Sequence, residues 1–349
     1  MKEKAKIVLP AEWEPQSAVQ LTWPHEDTDW NYMLEEVTAC FVAIAKEIIK
    51  QEILLIVCKD KEEVKAQLGE VDFSRIIFRE MQTNDTWARD HGAISVFVNG
   101  EPYIYDFTFN GWGMKFTANW DNQITRKLYA MDVFPVRTGY FNMLHYVLEG
   151  GSIESDGKGT LLTTSECLLS PNRNDHFLKE EIEMFLKSVF GLKRILWLNN
   201  GHLAGDDTDS HIDTLARFCD EKTIVYVRCE DTEDEHYEAL LAMEGELKNF
   251  RTTDGEPYCL IPLPMADRIV EDGERLPATY ANFLIINGTV LMPTYASPEK
   301  DIIAKQQLQK AFPDREIVGI DCLPLIKQHG SLHCVTMQFP ENFLPMVLQ

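Results

Sequence analysis

No apolar run in this 349-residue chain approaches the roughly 20 residues that cross a bilayer, so a helical membrane protein is excluded. None of the eight cysteines stands in CxxC spacing, which argues against a paired-thiol metal site and leads us to expect reduced, unpaired thiols. The opening stretch MKEKAKIVLPAEWEPQ lacks the apolar core of about 7 to 15 residues that a secretory leader needs; the expectation is a soluble cytoplasmic protein. Positive charge is also scarce, with 33 Lys and Arg against 56 Asp and Glu and a net charge of -23. Such a surface repels phosphate backbones and anionic lipid and attracts cations, so neither nucleic acid nor membrane is expected as a partner.

What is present is material for a large core: 45% hydrophobic residues, with 18 Phe, 11 Tyr and 7 Trp. No Pro-, Gly- or Ser-rich linker and no low-complexity tract divides the chain, and we expect one catalytic domain over residues 1–349. Helical periodicity runs through MLEEVTACFVAIAKEIIKQ from Met33, DHFLKEEIEMFLKSVFG from Asp175, DTEDEHYEALLAMEGELKNF from Asp231 and SPEKDIIAKQQLQKAF from Ser297. Thr232 and Glu235 suggest a capping box in the third, and Pro298 suits the first turn of the fourth. Between them lie β-rich runs at Ile53, Arg75, Ala93, Pro102, Gly159, Arg194, Thr223, Phe283, Thr289 and Glu316. This alternation recurs roughly every 60 to 70 residues, as repeated βαβ-type units would.

The polar clusters fall beside those runs: TNDTWARDHG from Thr83, LEGGSIESDG from Leu148, GDDTDSHIDT from Gly205 and GSLHCVTMQ from Gly330. Loops on different modules can converge. The third cluster crowds Asp206, Asp207, Asp209 and Asp213 around His211. As a calcium loop counted from Asp207 it fails, because the places for an oxygen ligand, Gly and Glu hold His211, Ile212 and Phe218. His202, Asp206, His211 and Asp213 could ligate a transition metal, but no HExxH or paired CxxC supports one.

Cys334, in a Gly-flanked turn, reads differently from the other cysteines. A nucleophilic thiol of ordinary pKa, about 8.5, needs a nearby cation or base, and His211 could supply it. His333 is adjacent, but strand alternation would point it away from Cys334. The surrounding groups are acids, including Asp85, Asp90, Glu149 and Asp213, where acyl transfer would call for N–H donors and cations. Carboxylates suit a substrate that is itself positive, and the planar guanidinium, with its five N–H donors, pairs with them in a bidentate way.

These residues, together with LPAEWEPQSAVQLTWPH from Leu9, FNGWG from Phe109, LEGGSIESDGKGTLLTTSECLLSPNRN from Leu148 and LPATYANF from Leu276, make the chain resemble the agmatine deiminases and their bacterial peptidylarginine-deiminase-like relatives in the guanidino-group-modifying superfamily. The resemblance runs nearly end to end. It implies an α/β fold, the pseudo-fivefold α/β propeller (pentein) of ββαβ modules around a central active-site channel. It also implies that Cys334 attacks the guanidino carbon, that His211 protonates the leaving ammonia and then activates water, and that Asp90 and Asp213 clamp the guanidinium. Glu149 would pair with a guanidinium nitrogen or orient His211, and Trp87 would wall the pocket. No metal or organic cofactor is implied. Asp206, Asp207 and Asp209 are expected to shape their loop or remain solvated, and Asp85 to make an Asx-type turn.

Ser210, Thr214 and GSLHC depart from the pattern of most agmatine deiminases, and so does the short segment ADRIVEDGERLPA from Ala266. These departures bear on substrate selectivity more than on the chemistry. The leading expectation is a small cationic guanidino substrate, agmatine, hydrolysed to N-carbamoylputrescine and ammonia, in a chain able to form a homo-oligomer. Deimination of peptidylarginine or free arginine, amidino transfer to an amine, and a non-catalytic polyamine- or cation-binding protein stay open as alternatives.

Overall fold

The structure, a computed structural model, describes residues 5–345. Five of its sheets repeat one order, in which the first strand pairs antiparallel with the second and the second parallel with the third. A helix crosses between the second and third strands each time, because a parallel pair cannot be joined by a tight turn. The first module combines Thr336–Pro340, Gln16–Thr22 and Ile53–Cys58, with Leu34–Gln51 as crossover and Ile76–Glu80 as an added strand. Ile94–Val98, Glu101–Thr108 and Gly139–Val147 make the second. The third is Ile153–Ser155, Thr160–Thr164 and Arg194–Leu198. Ala216–Phe218, Thr223–Arg228 and Cys259–Pro264 form the fourth, and Leu284–Ile286, Thr289–Thr294 and Glu316–Asp321 the fifth. This is the pentein propeller of ββαβ modules, and its first module borrows a strand from the far end of the chain.

The crossover helices bury one stripe each. In Leu34–Gln51 the buried positions Val37, Cys40, Phe41, Ile44, Ala45, Ile48 and Ile49 follow helical spacing, and Glu35 and Glu36 occupy the first turn, where the helix dipole favours acids. Burying each large side chain contributes about 1.5–3 kcal/mol, so the stripe fixes the helix on its sheet. Among the described residues no helix is long and apolar enough to cross a membrane, and all eight cysteines are unpaired.

Several local expectations need correction. The helix read from Asp175 begins at Lys179, where the Leu178 N–H donates to Glu181 at 2.8 Å. The helix read from Asp231 begins at Tyr237, and Thr232 and Glu235 form no capping box: Glu235 pairs with Arg275 at 3.0 Å, while Asp234 accepts from the His236 N–H at 2.9 Å. The strand Gln16–Thr22 is wholly buried yet carries Gln16, Ser17, Gln20 and Thr22, so hydrophobic alternation does not reveal it.

Candidate active site

Each polar cluster lies just ahead of the first strand of a module. Trp87 and Asp90 precede Ile94–Val98, Glu149 precedes Ile153–Ser155, His211 and Asp213 precede Ala216–Phe218, and Cys334 precedes Thr336–Pro340. The fifth module supplies Asn282 from the equivalent place before Leu284–Ile286. The pseudo-symmetry of the fold therefore brings five loops, distant in sequence, to one place.

Gly151 shows how closely they meet. A Cβ there would stand 2.7 Å from His211 Nδ1, 2.8 Å from Asp90 Oδ1 and 3.1 Å from Asp213 Oδ2, so only a hydrogen side chain lets these three groups converge. The Gly151 N–H donates to Asp90 Oδ1 at 3.0 Å, and the Trp112 indole donates to Asp90 Oδ2 at 2.9 Å. Gly330 has the same function beside the cysteine: a Cβ would lie 2.1 Å from the Trp87 ring.

The His211 loop is built by its own acids. Asp206 accepts from the N–H groups of Thr208 and Ser210 at 3.1 and 2.7 Å, and the Thr208 hydroxyl accepts the His211 N–H at 3.1 Å. Asp209 pairs with Lys115 at 2.7 Å and with Arg173 at 2.6 Å. These two acids shape the loop as expected, whereas Asp207 lines a chamber with Asp29, Asp85, Trp87, Asp90 and Cys334. Asp85 makes no Asx-type turn to Trp87; it accepts from the Thr86 N–H at 2.8 Å and faces the same chamber. His202 is exposed, with its ring 5.9 Å from His236, and Asp206 is occupied within its loop, so the transition-metal grouping drawn through them does not assemble.

Two residues that sequence reasoning passed over hold the site. Arg173, fully buried, donates through Nε to both Glu149 oxygens at 2.9 and 3.0 Å and through Nη1 to Asp209, locking the Glu149 loop to the His211 loop. Asn282 Oδ1 accepts from the His333 N–H at 2.9 Å and the Cys334 N–H at 3.3 Å, with Cys334 Sγ at 3.4 Å. Arg173 lies in the quoted SPNRN and Asn282 in LPATYANF, but nothing local separates either from an ordinary loop residue. Replacing Arg173 by Met should lower stability by about 3–5 kcal/mol, because Glu149 is then left as an unpaired buried charge. The denaturant midpoint measures this; an unchanged midpoint contradicts it.

The His333 ring is taken up by acids and not by the thiol, but strand alternation is not the reason: His333 and Cys334 lie in the turn ahead of Thr336–Pro340, where the Thr336 N–H donates to the His333 carbonyl at 3.0 Å. The ring Nδ1 meets Asp213 Oδ2 at 2.7 Å and its Nε2 meets Glu12 Oε2 at 2.8 Å. Burial alone would raise Asp213, but the hydrogen bond and charge of His333, with His211 and Arg217, bring it below the usual carboxylate value. Burial pushes Asp90 up to about 6 against the pull of His211. Burial opposes charge on His211, yet Asp90, then Cys167 and Glu149, hold the imidazolium up to about 10; Asp90 Oδ1 is 3.6 Å from its Nδ1. Burial, followed by the negative charge of Asp213 and Asp90, drives the Cys334 thiol well above its ordinary value.

Both ring nitrogens of His211 and Asp213 Oδ1 are buried with no hydrogen-bond partner. Buried groups left so cost about 1–3 kcal/mol each; they are poised for a ligand. The chamber has about 40 Å³ of free space, and Asp29, Asp85, Asp207 and Phe116 line it beside Cys334. Among the described residues its lining includes no Arg or Lys.

Five ββαβ modules whose leading loops converge on a buried thiol, an imidazole and carboxylates define an enzyme of the guanidino-group-modifying, pentein class. Comparison then places it more narrowly: the model of the Porphyromonas-type peptidyl-arginine deiminases matches residues 8–340, and the chain belongs to that family. It is similar to a provisionally named arginine deiminase from Porphyromonas gingivalis, with 57% identity, coverage of 97% of this chain and 100% of that one, and a TM-score of 0.94. A cysteine-to-serine variant of agmatine deiminase from C. jejuni, solved with substrate bound, matches at 39% identity over 99% of each chain with a TM-score of 0.91. The agmatine deiminase of Stutzerimonas stutzeri is 33% identical, covering 96% of each chain.

Proposed function

We propose that the chain hydrolyses the guanidino group of agmatine, giving N-carbamoylputrescine and ammonia through a covalent intermediate on Cys334. The observation that carries this reading is the convergence at Gly151 of Asp90, His211 and Asp213, with buried hydrogen-bonding capacity unspent, in a centre that also holds Cys334. Asp90 and the free oxygen of Asp213 accept guanidinium N–H bonds and hold the trigonal carbon before the sulfur. Burial and then the carboxylates Asp213 and Asp90 keep the thiol protonated, and a bound cation offsets that carboxylate field, so substrate binding itself promotes the thiolate. The thiol proton is released to solvent as the cation binds, the thiolate attacks the guanidino carbon, His211 passes its proton to the departing nitrogen, and ammonia leaves with the broken C–N bond. His211, now neutral, takes a proton from water as the water oxygen adds to the same carbon. The C–S bond then breaks, releasing the ureido product and restoring the thiol. Glu149, gripped by Arg173 and within 4.8 Å of the imidazole, orients His211; Trp87 walls the chamber.

The acids Asp29, Asp85 and Asp207 around the chamber favour a substrate whose second end is an amine, whereas the carboxylate of free arginine would meet no Arg or Lys there, only the imidazole of His329. An arginine-bearing substrate is the second reading, supported by the family's description and by the 57% identical P. gingivalis protein. Ammonia release measured in parallel on agmatine, free arginine and a peptide with internal arginine tests the choice. Agmatine should give the highest kcat/KM; faster turnover of either arginine form overturns it.

The pH profile of kcat/KM should be bell-shaped. Asp90 must be ionised to accept N–H bonds, so activity falls as pH drops through about 6. His211 must be protonated to assist departure of ammonia, so activity falls as pH rises through about 10. A rate that keeps climbing beyond the upper limb contradicts the assignment of His211.

A further inference from the structure

We propose that Glu149, Cys167 and His211 form a binding site for a thiophilic divalent cation such as zinc, which switches the centre off by occupying the imidazole. The donor atoms of these three residues all lie within 4.8 Å of one another, and each residue is completely buried. They offer one sulfur, one nitrogen and one carboxylate oxygen, the mixed set that zinc accepts from three protein ligands while keeping a fourth position open. Cys167 sits in the single helical turn Ser165–Leu168, and the reaction proposed above gives it no task.

The independent sign of a ligand is His211. Neither of its ring nitrogens makes a well-formed hydrogen bond, although the residue has no exposed surface; the Cys167 thiol and the Asp90 carboxylate, 3.6 Å from Nδ1, are its nearest polar neighbours. Arg173 engages Glu149 only through Nε, which leaves carboxylate lone pairs open, and its own charge is shared with Asp209. Asp90, 3.6 Å from His211, adds negative charge beside the three donors. A second trio with metal-like spacing, Glu12, Glu154 and His333, is different in kind. The Arg217 guanidinium already fills it, donating to Glu12 at 2.7 Å and to Glu154 and lying 3.0 Å from His333 Nε2, so that cluster has its cation.

Binding forms metal–sulfur and metal–nitrogen bonds and expels the protons of Cys167 and His211 to solvent. The inhibitory half rests on the proposed role of His211; the binding half does not. The test titrates metal-free protein with Co²⁺ and follows the thiolate-to-cobalt charge-transfer band in wild type, Cys334→Ser and Cys167→Ala. The band should appear in wild type and Cys334→Ser and be lost in Cys167→Ala. X-ray absorption of zinc-loaded Cys334→Ser should show one sulfur at about 2.3 Å with nitrogen and oxygen neighbours, a measurement that stands even if Cys167→Ala does not fold. Zinc should also stop guanidinium turnover in the wild type reversibly on chelation, with the half-inhibitory concentration raised about tenfold or more in Cys167→Ala. A band lost in Cys334→Ser and kept in Cys167→Ala puts the metal on the nucleophile and overturns the site, as does zinc without sulfur. Sulfur-ligated zinc in Cys334→Ser with wild-type turnover untouched keeps the site and overturns the switch.

Discussion

Replacing Cys334 by Ser should abolish guanidinium hydrolysis, lowering kcat by about 10⁴-fold or more, while the chain folds and still captures its substrate. The substitution exchanges sulfur for oxygen at nearly constant shape, and Asn282 remains placed to meet the hydroxyl as it meets Sγ at 3.4 Å. What changes is the proposed nucleophile. A thiol pushed upward by burial and by Asp213 and Asp90 can still be ionised when a cation enters between those carboxylates, but a hydroxyl starts several units higher and the same field suppresses it further. Ammonia release reads the loss; the thermal midpoint and agmatine binding, by calorimetry, read what is retained. Residual turnover within tenfold of wild type removes the covalent route.

His211→Gln should cost about 10²- to 10⁴-fold in kcat and erase the alkaline limb of the profile near pH 10. Glutamine fills similar space and can hydrogen-bond, but it transfers no proton at these pH values, so both proton transfers proposed for His211, to the departing ammonia and from water, are lost. The effect should fall mainly on kcat, because the guanidinium contacts proposed above belong to Asp90 and Asp213. If His211→Gln instead raised KM with kcat preserved, the imidazole would be a binding group, and proton transfer would have to be sought elsewhere.

The positions of the polar clusters were more legible in the sequence than the framework that supports them. Cys334, His211, Asp90, Asp213 and Glu149 stand in polar clusters beside β-rich runs, and the excess of acids around one thiol already pointed to a cationic substrate. The structure brings Asp90, His211 and Asp213 together at Gly151, sets Glu149 beside His211, and puts Asp90 on one chamber with Cys334. Arg173 and Asn282 were not legible because their importance lies in partners distant along the chain: Arg173 acquires meaning only when Glu149 and Asp209 stand on either side of it, 24 and 36 residues away. The buried acid–base pair of Asp213 and His333 was not legible, because the alternation invoked to part His333 from Cys334 does not operate in their turn, and its continuation to Glu12 lies 321 residues away.

The framework shows the same divide. The helix Leu34–Gln51 carries its core stripe openly, whereas Gln16–Thr22 buries polar side chains at the centre of a sheet and offers no apolar period to read. The antiparallel pairing of Thr336–Pro340 with Gln16–Thr22 closes the ring and carries Cys334 to the other loops, a consequence of topology that no local pattern encodes. The capping box read at Thr232 fails because Glu235 has a stronger partner in Arg275, a tertiary ion pair that overrides a local motif.

The most direct test of the central claim is the mass of the enzyme caught during turnover. Wild-type protein mixed with excess agmatine, acid-quenched within the first turnovers and digested, should yield the peptide containing Cys334 heavier by agmatine less one ammonia, and Cys334→Ser should yield none. Vigorous ammonia release with that peptide unmodified at every quench time, or the same added mass mapped to another residue, contradicts the account.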